Sequence, residues 1–175
     1  HLINAMTPGL PGGHTLYQPD GARMTIFEAA QRYREQRTPL VVVAGRQYGT
    51  GSSRDWSAKG PRLLGVKAVI AESFERLHRA NLVAAGVLPL RLADGGSRYS
   101  FTGAEVLDIT GLAGLHQPRS ELACRVQSPN GAVRKLRLIA CLETQQEVEH
   151  FRGGGTFKYL LRRRVALPGL AETVS

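Results

Sequence analysis

The chain has 175 residues, enough for one domain with a real core and too few for two large ones. Its 42% hydrophobic content and 20 glycines suit a globular α/β domain rich in tight turns. The formal net charge of +9 invites a nucleic-acid reading, but the basic residues are dispersed, and the densest group, Arg162-Arg163-Arg164, has no aromatic-interleaved stripe beside it. The charge therefore reads first as solvated surface, then as attraction to an acidic neighbouring domain or anionic substrate, and last as RNA binding. No apolar run approaches the ~20 residues that cross a bilayer, so no membrane partner is expected. The start, HLINAMTPG, lacks the basic and apolar regions of a signal peptide, which makes a cytoplasmic setting the expectation. Opening on His1 leaves a fragment open as well. Cys124 and Cys141 show neither metal-ligand spacing nor a disulfide framework. Cys124 alternates with Leu122 and Val126, as a buried strand residue does, and two thiolates cannot hold a cluster that needs three or four.

Residues 1–24 are rich in glycine and proline and read as an extended lead-in or linker. Thr25 with Glu28 makes a capping box for a helix through about Gln36, with Ile26, Phe27, Ala30 and Tyr33 on its buried side. Leu40 to Gly45 is a β-branched run typical of a strand covered on both faces. A glycine-rich loop and a helix through about Leu64 follow. Val66 to Ala71 predicts a second strand, Ser73 caps a helix through about Ala85, and Val87 to Leu92 makes a third strand. Alternating strands and helices imply a mostly parallel sheet with helices packed on it. Farther on, Glu121 to Gln127 and Ala132 to Ile139 flank Ser128-Pro129-Asn130-Gly131 and predict an antiparallel hairpin. Thr144 and Glu147 form a second capping box, Thr156 to Arg164 a last helix, and the tail from Pro168 reads as loose.

Gly49 to Trp56, GTGSSRDW, carries the chemistry. A glycine-rich turn between a buried strand and a helix leaves backbone N–H groups free at the helix start, where they and the helix dipole favour an anion. Gly49 and Gly51 permit the tight turn and close approach, Ser52 and Ser53 add hydroxyls, and Arg54 supplies a planar fork that matches a carboxylate. The loop lacks the Gly-Lys-Ser/Thr ending of a P-loop, the third glycine of a dinucleotide fingerprint and the Gly-x-Ser-x-Gly of a hydrolase elbow. The bland alternative makes Ser52 a helix cap and pairs Arg54 with Asp55 or Glu72. Tyr48 and Trp56 read as braces for the loop, and His78 and Arg79 as solvated or domain-facing surface.

The run Tyr48 to Leu92, the early glycines and prolines, Met24 to Tyr33 and FRGGGTFKYLLR (Phe151 to Arg162) together resemble the C-terminal swivelling domain of the aconitase family. The nearer resemblance is to the branch of bacterial aconitases, iron-regulatory proteins and 2-methylcitrate dehydratases. It implies an α/β fold, a swivelling β/β/α domain with a mostly parallel sheet flanked by helices plus the C-terminal hairpin. The implied division is lead-in 1–24, swivel domain 25–164 and tail 165–175. It also implies that Ser52 is the catalytic base and that Gly51, Ser53 and Arg54 bind substrate carboxylates. The implied cofactor is a 4Fe-4S cluster ligated by preceding domains outside this chain, so the chain by itself is expected to be inactive. Implied partners are a tricarboxylate and the cluster-bearing N-terminal domains of the same enzyme. The activity implied is citrate–isocitrate isomerisation through cis-aconitate. Alternatives are 2-methylcitrate dehydratase, the small subunit of an isopropylmalate isomerase-like enzyme, whose loop usually continues Glu-His where Asp55-Trp56 stand, and an iron-regulatory RNA-binding protein. Gln47, Ser57, Ala80, Ala84 and Ala85 depart from the family's usual residues and leave Ser52, Ser53 and Arg54 intact.

Overall fold

The computed structural model describes residues 9–51, 54–93 and 101–165, with Arg54 described in its backbone only. Ser52, Ser53 and the tail read as loose lie outside the described residues.

The glycine-rich opening folds into a hairpin of β1 (His14–Tyr17) and β2 (Ala22–Thr25). Tyr17, Met24 and Ala29 form a small core there, so the hairpin packs on α1 (Ile26–Glu35). The Thr25–Glu28 capping box forms in full: Glu28 N–H donates to Thr25 Oγ1 at 3.1 Å and Thr25 N–H to the Glu28 carboxylate at 2.9 Å. Phe27 departs from expectation. It is 62% exposed, because the helix turns Ala29, Ala30 and Tyr33 inward instead.

A six-stranded sheet carries the rest of the chain in the order β3-β4-β5-β8-β7-β6. β3 (Leu40–Ala44), β4 (Val66–Ala71) and β5 (Leu88–Leu92) run parallel. The predicted hairpin appears as β7 (Glu121–Gln127) and β8 (Val133–Ala140), and β8 adds antiparallel to β5 instead of standing apart. β6 (Val106–Thr110) pairs with β7 and was not legible in the sequence, since only Leu107 and Ile109 pack inward. The α/β class stands, with the parallel half continuing into an antiparallel half.

Period-two alternation divides the side chains between two faces. Ile70, Leu90, Leu122, Cys124, Val126 and Leu138 share one core, and Val69, Ala71, Leu82, Val87 and Ala58 share the other. Val41 and Val43 join the first core while Val42 and Ala44 join the second, so β3 is covered on both faces as its composition requires. The helices are α2 (Arg54–Leu63), α3 (Arg76–Ala85), α4 (Gln145–Arg152) and α5 (Thr156–Val165). The end of α3 meets the Gly153-Gly154-Gly155 turn backbone to backbone. A Cβ on Gly86 would lie 2.6 Å from the Gly154 carbonyl oxygen, and one on Gly155 2.6 Å from that of Ala84.

Candidate substrate-anion loop

β3 hands the chain to the glycine loop at Gly45, whose carbonyl accepts from Glu72 N–H at 3.2 Å. The loop is then strapped to the turn between β4 and α3. Gln47, at φ 50°, donates its N–H to Ser73 Oγ at 2.8 Å; Tyr48 N–H donates to the Ser73 carbonyl and Glu75 N–H to the Tyr48 carbonyl, both at 2.9 Å. Ser73 was expected to cap α3. Its hydroxyl is taken by the loop, and Glu75 is the cap, its carboxylate accepting from His78 N–H at 2.8 Å.

Gly49 (φ 96°) and Gly51 (φ 102°) take the left-handed conformation that the turn needs. They differ in surroundings. A Cβ on Gly51 would meet open space, while one on Gly49 would sit 2.1 Å from His78 Cγ. Thr50 closes the turn, its N–H and hydroxyl both donating to the Gln47 carbonyl, at 3.1 and 2.8 Å. α2 starts at Arg54.

Tyr48 braces the loop as expected, its ring edge-on to Phe74 and His78 at centroid distances of 6.2 and 5.1 Å. Burial pushes its phenol above the usual range, so it stays protonated at neutral pH. Trp56 does not brace the loop: it is 67% exposed, with Lys59 Nζ 5.6 Å from its ring centroid. The two acids beside the loop each have a cation within reach. Asp55 meets Lys59 at 2.6 Å, and Glu72 meets Arg46 at 3.4 Å.

His78 and Arg79 are buried, at 1% and 7% exposure, which corrects the surface reading of both. His78 lies beneath Gly49. Arg79 clamps the far end of the domain, donating to both Glu147 oxygens at 2.8 Å, to the Cys141 carbonyl at 2.9 Å and to Glu143 at 3.3 Å. No local pattern could have exposed the Ser73 strap or the His78 floor, because both join residues 25 or more positions apart.

Cys124 is buried in β7 and Cys141 is half-buried, and burial pushes both thiols up, away from the thiolate form a metal requires. Among the described residues no group of three or more histidines, cysteines or acids could hold a metal ion. The described residues, with two buried or half-buried thiols, do not fit as the ligand set of an iron–sulfur cluster. No helix among the described residues is long and apolar enough to cross a membrane.

A half-parallel sheet flanked by helices, with a glycine loop after its first strand, defines a mixed α/β domain. The chain belongs to the aconitase C-terminal domain family, whose model matches residues 1–95. It is 53% identical over 163 residues to aconitate hydratase A of Pseudomonas aeruginosa, and 43% identical over 163 residues to aconitate hydratase A of Escherichia coli. Each match covers 92% of this chain and 18% of the relative, so the chain spans about a fifth of the length of these relatives. Among solved structures, a 3-isopropylmalate dehydratase from Methanocaldococcus jannaschii superposes with a TM-score of 0.56 at 22% identity, covering 82% of this chain and 81% of that one. That likeness concerns the fold.

Proposed function

We propose that this chain is the C-terminal domain of an aconitase-type iron–sulfur hydro-lyase that isomerises citrate and isocitrate through cis-aconitate. The observation that carries the reading is 53% identity across 92% of the chain to a protein named aconitate hydratase A. The 2-methylcitrate dehydratase, isopropylmalate isomerase subunit and RNA-binding regulator readings are not favoured over it, because the relatives at 53% and 43% identity carry the aconitate hydratase name. In this reading the 4Fe-4S cluster is ligated by N-terminal domains of the same enzyme, and those domains together with the tricarboxylate are the partners of this one.

Within the chain, Ser52 is the base that takes a proton from the carbon beside a substrate carboxylate. A serine alkoxide needs donors and positive charge around it, and in this reading the start of α2 and the Arg54 charge are their source. Ser53, Arg54 and the Gly51 backbone hold the carboxylates. The test is Ser52→Ala in the complete enzyme. Turnover should nearly vanish while substrate affinity stays within about tenfold, or ~1.4 kcal/mol. Equal losses in Ser52→Ala and Ser53→Ala would refute the assignment of the base.

A further inference from the structure

We propose that His78 is a positioning residue for the anion loop, acting through Gly49; this rests on the loop's assignment to substrate binding. The imidazole is 1% exposed and lies directly against the loop backbone. A Cβ built on Gly49 would come within 2.1 Å of His78 Cγ and 2.3 Å of its Cβ and Cδ2, so Gly49 rests on the ring with no space for a side chain between them. The ring is held from a second side by Tyr48, edge-on at 5.1 Å with an interplanar angle of 71°. Its backbone is held as well, because His78 N–H donates to the Glu75 carboxylate while Glu75 N–H donates to the Tyr48 carbonyl. Loop and helix start thus form a closed circuit of contacts through Tyr48, Gly49, Glu75 and His78.

Gly49 stands three residues before Ser52, and the only residues between them are Thr50 and Gly51. Thr50 is tied back to Gln47, so little slack remains to absorb a change in the height of Gly49. The flat ring of His78 sets that height. A smaller side chain would let the loop sink toward α3 and draw the serines off line from the substrate carbon. Misplacing a reacting group by about 1 Å costs on the order of 100-fold in rate. His78 touches no substrate in this account; it holds the residues that do.

The experiment uses the intact enzyme with His78→Ala, Gly49→Ala, the double variant and, as a remote core control, Val148→Ala. His78→Ala should lower kcat by roughly 30- to 100-fold, and it should accelerate hydrogen exchange in the segment 46–56 while leaving 121–140 as protected as before. Val148→Ala should lower Tm without this loss of kcat. Because the steric conflict disappears with the ring, Gly49→Ala should cost at least about fivefold less in the His78→Ala background, the mark of residues in direct contact. Losses that simply multiply, or exchange that rises equally in the loop and in β7 and β8, would overturn the proposal. Full turnover in Ser52→Ala would instead sink the functional reading, and the exchange contrast would still decide the role of His78.

Discussion

In the proposed function, carboxylate binding turns on Arg54. A guanidinium grips a carboxylate with two parallel bonds, whereas an ammonium offers one compact charge on a flexible stem. In the complete enzyme Arg54→Lys should therefore raise the substrate dissociation constant about 10- to 150-fold, since a charge-assisted hydrogen bond contributes roughly 1.5–3 kcal/mol. Equilibrium binding measures this, and unchanged affinity would make Arg54 structural. Arg79 is structural in a different way, as a buried cation bonded to Glu147 at both oxygens. Removing it with Arg79→Ala leaves Glu147 uncompensated and should cost about 3–5 kcal/mol. Burial works to raise the Glu147 pKa, but the Arg79 hydrogen bonds, the Glu143 N–H and the Arg79 charge outweigh it, and the net shift is downward. A depressed carboxyl stabilises the fold above its unfolded value, about 4.3, and that contribution is lost as pH falls through the lower folded value. Melting temperature should fall in that acid window, and less steeply in Glu147→Gln; identical slopes would refute the linkage.

At the scale of elements, the helix signals were legible wherever the bonding is local. Thr25 and Glu28 were readable because both halves of that box lie within one turn. The second box forms by half: Thr144 accepts from Glu147 N–H at 3.1 Å, but the Glu147 carboxylate is occupied by Glu143 N–H and by Arg79. Ser73 likewise failed as a cap because a distant loop claimed its hydroxyl. The glycines of FRGGGTF resembled a family pattern without revealing their reason. In the structure Gly155, at φ 110°, allows its backbone to approach Ala84 at the end of α3. Gly155→Ala meets both a backbone clash and a strained φ, so it should destabilise by at least about 1–2 kcal/mol. Chemical denaturation should show this, with hydrogen-exchange protection lost first at the seam between α3 and α5. A neutral substitution would mean the seam is loose.

For the whole molecule, the lack of a metal-holding group among the described residues gives a direct expectation. The 175-residue chain alone, reconstituted anaerobically with iron and sulfide, should stay colourless and inactive on citrate, isocitrate and 2-methylcitrate. Sustained turnover in an aconitate absorbance assay would contradict the proposed division of labour between domains. The sequence by itself determined the α/β class, the three parallel strands, the β7–β8 hairpin and the candidate anion loop. Each of these follows from short-range periodicity, turn chemistry or a contiguous motif, properties that neighbouring residues carry together. Only the tertiary structure decided that the hairpin joins the parallel sheet at β5, that β6 extends it and that Phe27 and Trp56 face outward. It also decided that Ser73 and His78 lie against the loop and that Arg79 is buried. Those outcomes depend on which partner reaches a polar group or an apolar face first, and the competing partners lie tens of residues away along the chain.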